Sequence, residues 1–171
     1  LNGSTISTSP VIESNRPDQQ QLNNLISLYT QGNLQEALVQ GSALSKQFPV
    51  DPDIPNILGA IYSGLGKHEE AIASYNKAIE LKPDYAETYY NLGNTLADMW
   101  QQADAIRYFR KALEISPEFE NAQDNLLLNL LYDPNATEAS LLHESRTCEK
   151  QLSRPTAQAN HNNGRQPNRP L

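Results

Sequence analysis

The sequence predicts an all-α protein built from stacked, antiparallel helix pairs. Two observations lead to this fold class. A pattern of leucine, glycine, alanine and proline recurs at a spacing of 34 residues, and within each unit the apolar residues recur at helical spacing. Apolar residues make up 38% of the 171 positions, and their periodicity is confined to 18–152, so the core is expected there.

The repeat is clearest in its second and third copies, where Leu58-Gly59 corresponds to Leu92-Gly93. The same offset relates Ala71 to Ala105, Tyr75 to Phe109, Ala78 to Ala112 and Pro83 to Pro117, and one step back gives Leu25, Leu28, Ala37, Gly41, Leu44 and Pro49. We therefore predict repeats at 18–51, 52–85 and 86–119, the first of them degenerate. A single repeat cannot bury its apolar face, so stacking must build the core.

Each repeat carries the signals of two helices joined by a tight turn. Small residues such as Gly93 let the two helices approach closely, and Pro83 and Pro117 end the second helices because proline lacks the N–H group. Gly32 and Gly66 are expected in the turns, where a left-handed backbone favours glycine. Trp100 holds the equivalent place in the third repeat, and an aromatic covering the turn is one interpretation of this departure.

Segments on either side of the repeats complete the predicted organisation. A capping helix at 120–132 continues the register, since Leu126 aligns with Leu92, and Asp133-Pro134 interrupts it. Thr137 is placed to cap a last helix at 138–152, within a C-terminal helical segment at 133–152. A flexible N-terminal arm is predicted at 1–17 and a flexible linker or tail at 153–171, because neither has periodic apolar residues.

Composition and charge argue against several classes of protein. A net charge of −7 is opposite to the basic field of nucleic-acid binders. The single cysteine, Cys148, cannot form an intrachain disulfide, and the three scattered histidines predict no metal site. No stretch is apolar enough for a membrane span, so a cytoplasmic protein is expected. No catalytic motif or cofactor fingerprint is present, so the chain is predicted to be non-enzymatic and to need no cofactor.

The spacing and residue types resemble the tetratricopeptide repeat, whose pattern is W-x₂-L-G-x₂-Y, A-x₃-F and P. The resemblance implies a right-handed superhelical solenoid whose first helices line a concave, protein-binding groove. These helices, at about 18–31, 52–65, 86–99 and 120–132, contain no lysine or arginine. The groove is therefore expected to be neutral to acidic, unlike that of the chaperone-tail adaptors of this family, which hold a carboxylate with basic residues.

Asparagines at one register of the first helices are the main candidate binding residues. Asn23, Asn91 and Asn125 occupy this register, and Ile57 interrupts it. An amide side chain offers two donors and an acceptor, so such a row can bond the backbone of an extended peptide. The alternative is that these amides bond only neighbouring backbone or solvent. Further groove candidates are Asn56, Tyr90, Asn94 and Asp98.

The segment after the repeats resembles the junction that precedes the catalytic region in O-GlcNAc transferase-like and SPINDLY-like proteins (glycosyltransferase family 41). The resemblance is carried by Leu130-Leu131-Tyr132-Asp133-Pro134, Glu138, His143 and Arg146. It implies the substrate-recruiting part of a protein glycosyltransferase, with Asn23, Asn91 and Asn125 gripping the substrate backbone. The alternative is a free-standing scaffold that assembles protein complexes. In both cases the expected partner is a protein or extended peptide, and the open ends of a short stack predict at most a weak homodimer.

Overall fold

The computed structural model describes residues 16–152, with side chains described as far as Thr147. Within this range it contains eight α-helices and no strand. Their bounds are α1 Gln19–Thr30, α2 Leu34–Gln47, α3 Asp53–Gly64, α4 His68–Leu81, α5 Ala86–Asp98, α6 Gln102–Ile115, α7 Glu120–Tyr132 and α8 Glu138–Leu152. The predicted all-helical class is confirmed.

Consecutive helices pack as pairs, and the pairs stack side by side. Each of α1, α3 and α5 contacts both its own partner and the first helix of the next pair. One apolar cluster runs from Leu25 to Ile61 between the first two pairs, and a second runs from Ala71 to Leu130. The half-buried Tyr62 packs against both clusters, so the interior is continuous along the stack.

Glycines on the first helices determine how closely the two helices of a pair approach. A Cβ atom on Gly59 would lie 2.5 Å from Cε1 of Tyr75, and a Cβ atom on Gly93 would lie 2.6 Å from Cε1 of Phe109. Both aromatic rings are buried, so they occupy the space that a side chain at either glycine would need. The predicted close approach at Gly93 is confirmed, and the repeat pairs glycine with an aromatic residue 16 positions later.

The turns inside the three repeats share a left-handed backbone at one position. The φ angle is 78° at Gly32, 72° at Gly66 and 59° at Trp100. Glycine adopts this conformation without strain, whereas a tryptophan there brings its Cβ close to the backbone. The Trp100 side chain is 81% exposed, so the interpretation of a covering aromatic is wrong. Nothing in the structure explains why this position is tryptophan.

The last helix pair, α7 and α8, is held together differently. Leu127 stands where the third repeat has Gly93, so α7 presents a large side chain at the position of close approach. Thr137 caps α8 as predicted, with its Oγ1 accepting from the backbone N–H of Ser140 at 3.2 Å. An ion pair joins α8 to α6, with Nη2 of Arg110 lying 2.6 Å from Oε1 of Glu144.

Parts of the predicted organisation fall outside the described residues. The predicted arm at 1–17 lies almost wholly within positions 1–15, and the predicted tail occupies 153–171; both stay predictions. The side chain of Cys148 is also not described. None of the helices between residues 16 and 152 combines the length and the apolar character needed to cross a membrane.

Candidate peptide-binding groove

The first helices α1, α3 and α5 line an open groove with a volume of about 440 Å³. It is lined by Gln19, Leu22, Ile26, Tyr29 and Thr30 of α1, by Asp53, Asn56, Ile57 and Ala60 of α3, and by Tyr85, Glu87 and Asn91 at the start of and along α5. A second hollow of about 230 Å³ shares Tyr29, Ala60 and Asn91 with the first and extends to Asp98. The two hollows together form one surface across three repeats.

The α1 flank of the groove is apolar. Leu22, Ile26 and Tyr29 recur at i, i+4 and i+7, so they lie along one side of the helix. Ile26 and Tyr29 are exposed, and Ile57 and Ala60 of α3 continue the apolar surface. Exposed large apolar side chains that line a concave surface are typical of binding sites.

The α5 flank is polar and acidic. The Tyr85 hydroxyl donates to Oδ1 of Asp53 at 2.8 Å and thereby joins α3 to the start of α5. Burial and this hydrogen bond to a carboxylate raise the pKa of the Tyr85 hydroxyl above its ordinary value, so the phenol stays protonated at neutral pH. Glu87 and Asp98 add two carboxylates along the same helix.

Basic residues are absent from the described first helices, which is the charge pattern that the sequence predicts. The helices α1, α3, α5 and α7 contain acidic and amide side chains but no lysine or arginine. Lys82, in the turn before α5, lies with its Nζ 4.3 Å from the centre of the Tyr85 ring at the edge of the groove. No group of three potential metal ligands occurs among the described residues.

The predicted asparagines bond one another across the stack. Nδ2 of Asn91 donates to Oδ1 of Asn56 at 3.3 Å, which links α5 to α3. Nδ2 of Asn125 donates to Oδ1 of Asn94 at 2.7 Å and to the Tyr90 hydroxyl at 3.4 Å, which links α7 to α5. These contacts between side chains of neighbouring repeats are an arrangement that neither sequence-based alternative included.

The seven predicted site residues therefore divide into three groups. Four are half-buried: Asn91 and Asn94 line the hollows, whereas Asn125 lies between α7 and α5 and bonds Asn94 and Tyr90, whose ring packs against Phe119. Asn56 is only 4% exposed, so its main contact is the bond to Asn91. Asn23 and Asp98 are exposed, and Asn23 accepts from its α1 neighbour Gln19 rather than joining the row. The peptide-binding role of all seven stays a prediction.

Sequence reasoning missed the apolar flank on α1. Leu25 and Leu28 already hold the packing positions of the repeat on α1, and Leu22, Ile26 and Tyr29 extend the apolar surface to one side of them. That excess apolar surface on an end helix was the available signal. The bridging pair Tyr85–Asp53 could not be found in this way, since the two side chains lie at opposite ends of one repeat and meet only when α5 packs beside α3.

Comparisons with known proteins agree with this architecture. Residues 59–99 match the model of the TPR repeat, and residues 86–119 match the model of the tetratricopeptide repeat. Residues 59–119 contain tetratricopeptide repeats. This repeat is a non-catalytic, protein-binding module.

Three similar proteins extend the comparison. The chain is 31% identical over 67 residues to a probable UDP-N-acetylglucosamine–peptide N-acetylglucosaminyltransferase, SEC, of Arabidopsis thaliana; the match covers 39% of this chain and spans 7% of that protein. An O-GlcNAc transferase mutant of Thermobaculum terrenum is 20% identical, with a TM-score of 0.65 over 77% of this chain and 26% of that one. The first TPR of Spaghetti (RPAP3), bound to an HSP90 peptide, is 22% identical, with a TM-score of 0.61 over 67% and 94%. The two structures show the shared fold.

Proposed function

We propose that this tetratricopeptide-repeat module binds an extended segment of a partner protein along the inner face of α1, α3, α5 and α7. One observation carries the proposal: an exposed apolar flank on α1 faces a row of amide and carboxylate side chains on α5 across a continuous groove. The α1 flank suits apolar side chains of a peptide, and the α5 flank suits hydrogen bonds to its backbone. Spaghetti, which shares the fold, holds an HSP90 peptide.

The amides retain hydrogen-bonding capacity for such a peptide. Asn91 donates one N–H to Asn56, which leaves its second N–H and its Oδ1 for a peptide backbone. Asn125 uses its amide nitrogen for Asn94 and Tyr90, which leaves Oδ1 as an acceptor. The bonds between repeats hold both amides in place before a peptide arrives, which lowers the entropic cost of binding.

The groove can be tested with a random 12-residue peptide library displayed on phage. Peptides selected on the chain would be measured by calorimetry against Ile26→Glu and against the double variant Asn91→Ala/Asn125→Ala. We expect each to weaken binding by roughly tenfold, because the first buries a charge and the second removes backbone partners. Val39→Glu is the matched control, since Val39 is an exposed residue of α2 that does not line the groove.

The outcomes separate a groove from an unrelated binding surface. Equal losses with Ile26→Glu and with Val39→Glu would contradict the proposed site, as would selected peptides that bind all three variants like the original chain. Asn125→Ala also breaks the bonds to Asn94 and Tyr90, so the melting temperature of the double variant must be measured beside its affinity.

The finer proposal is that this module recruits substrates for an O-GlcNAc transferase-like enzyme. It is supported by the match to SEC, by the shared fold of the Thermobaculum terrenum protein, and by the junction-like segment from Leu130 to Arg146. The competing proposal, a free-standing scaffold, is favoured by the near-complete overlap with the first TPR of Spaghetti. A cytoplasmic location is proposed under both.

Reading the encoding gene beyond Leu171 distinguishes these two functions. A continuing frame that encodes a large α/β region with two nucleotide-binding-like halves supports the recruiting role. A stop codon at or near Leu171 supports the scaffold and contradicts the enzyme. The peptide-binding proposal for the groove is tested separately by the library experiment.

A further inference from the structure

Each first helix of the stack is bonded on one face by side chains of the next first helix. On α3 this face carries Asp53, which is bonded by Tyr85 just before α5, and Asn56 and Ser63, which are bonded by side chains of α5. On α5 it carries Tyr90 and Asn94, which are bonded by Asn125 of α7. Because the contacts recur with the repeat, the same face can be located on α7, the last of the described first helices.

The corresponding face of α7 is exposed and carries two polar and two apolar side chains. Advancing the α3 and α5 positions by the repeat length gives Asn121, Asp124, Leu128 and Leu131. Leu128 is 49% exposed and Leu131 is 67% exposed. On α8, Leu142 is 47% exposed and lies on the opposite side of the helix from Glu144, which bonds α6. We call this surface of α7 and α8 the C-terminal face.

We propose that the C-terminal face joins two copies of the chain in a two-fold dimer, with α7 of each copy lying across α8 of the other. Apolar side chains on both helices would then be covered by the equivalent surface of the second copy. A symmetric dimer of this kind needs only one self-complementary surface.

Head-to-tail stacking, in which the C-terminal face packs against α1 of a second copy, is less favourable than the two-fold dimer. At the other end of the stack, α1 presents Asn23 and Ser27 where α5 presents Asn91 and Thr95 to its neighbour, and both are exposed. Placing Leu128 and Leu131 on this amide- and hydroxyl-rich surface would bury polar groups without partners. The exposed surface of α1 that carries Asn23 and Ser27 is therefore a poor match for these leucines.

Two two-fold arrangements of the C-terminal face are possible, with α7 packed against either α8 or α7 of the second copy. Charge complementarity favours the packing of α7 against α8. The two helices are antiparallel around the turn between Tyr132 and Glu138. Residues equally distant in sequence from its middle lie at the same height, because both helices rise by about 1.5 Å per residue. Asp124 and Arg146 are equally far from Asn135, the middle of the turn, and so are Leu128 and Leu142, so we expect each pair to lie at one height. A two-fold axis parallel to the helices brings each pair into contact between the copies.

Both charged groups are available for this contact. Asp124 and Arg146 are exposed, and neither is in an ion pair with another described residue. The other two-fold arrangement places α7 against α7, and because α7 has no basic residue, Asp124 would gain no cation. The arrangement with α7 against α8 gives two Asp124–Arg146 pairs around a centre of leucines.

The dimer should be weak, since three exposed leucines per copy form a small apolar core. For such an interface we expect a Kd of about 100 µM. Sedimentation velocity of the full 171-residue chain from roughly 10 µM to 1 mM measures it. Leu128→Glu and Leu142→Glu should each raise the Kd by at least about tenfold, because each places a charge in the apolar centre. The control is Val39→Glu, because Val39 is an exposed residue of the first helix pair. This variant should leave the Kd unchanged.

A charge swap tests the geometry. Asp124→Arg and Arg146→Asp alone should each weaken the dimer, since each places like charges together twice. The double variant should restore the Kd to within about threefold of the original, because the pairs are re-formed with their signs exchanged. If α7 packed against α7 instead, Arg146 would not face Asp124 of the second copy. Adding the second substitution would then not restore the Kd.

The possible results either support or overturn the proposal. Concentration-dependent dimers that are lost with the leucine variants and restored by the double swap support it. A monomer up to 1 mM overturns it and leaves the face to a different protein or to a further segment of the chain. A dimer that depends on Val39 rather than on Leu128 and Leu142 also overturns it, because it would be formed by another surface.

Discussion

The third repeat and the last helix pair are neighbours in one stack, but they are packed by different means. In the third repeat Gly93 lets α5 lie directly against the buried ring of Phe109. In the last pair Leu127 replaces the glycine, and the aromatic position is taken by His143, which is exposed. There α8 is held by a cap at Thr137, by partly buried Leu141 and by the pair Arg110–Glu144.

This difference shows what the glycine and the aromatic residue of the repeat contribute to the packing of a helix pair. Glycine and the aromatic side chain act together, because the ring fills the space that the missing Cβ leaves. Where both are replaced, helices still form from local signals, but α8 is held by partly buried Leu141 and by one partly exposed ion pair to α6. The last pair is therefore expected to open more readily than the third repeat.

Gly93→Leu should have the largest effect, because it gives the third repeat the side chain of the last pair. Its Cβ would lie 2.6 Å from Phe109, so the ring or the helix must move. We expect a loss of about 3 kcal/mol in the free energy of unfolding, measured by urea denaturation. Ala73→Leu, at an exposed position of α4, is the control and should change stability by less than about 0.5 kcal/mol. A small effect of Gly93→Leu would mean that close approach does not hold the repeat together.

Leu127→Gly is the reverse exchange and should not convert the last pair into a repeat. The large ring that would fill the space is absent from the equivalent position, His143. A glycine inside a helix costs about 1 kcal/mol, and losing a half-buried leucine adds to this, so a total loss of about 2 kcal/mol is expected. A rise in unfolding free energy in the same urea assay would show that Leu127 is an obstacle to packing rather than a contributor.

Much of this architecture could be predicted from the sequence, because the signals are local or recur with the repeat. Spacing placed the helix pairs, and Thr137 and Gly66 have the capping and turn roles expected of them. The mutual bonding of the amides could not be predicted. Asn91 meets a residue 35 positions earlier and Asn125 meets one 31 positions earlier, so the contacts depend on the lateral offset between helices, which periodicity along one helix does not determine.

Trp100→Gly should make the turn of the third repeat more like that of the second, where Gly66 has nearly the same backbone angle. The exposed indole contributes little packing, and glycine removes the strain of a left-handed backbone at a residue with a Cβ. We expect the free energy of unfolding to rise by about 1 kcal/mol, with a higher melting temperature by circular dichroism. Trp100→Ala retains the strain and is the matched control. A loss of stability with glycine alone would indicate that the more flexible unfolded chain outweighs the strain.

Glu144→Gln should have the smallest effect on global stability and a clear local one. The pair with Arg110 is partly exposed, with side-chain accessibilities of 46% for Arg110 and 15% for Glu144, so its removal is expected to cost about 0.5 kcal/mol. Because α8 depends on few other contacts, amide hydrogen exchange in α8 should accelerate by roughly twofold while exchange in α5 and α6 stays unchanged. Glu114→Gln removes an exposed pair within α6 and controls for loss of charge. Equal acceleration in α6 and α8 would contradict the separate opening of the last pair and would place it in one cooperative unit with the repeats.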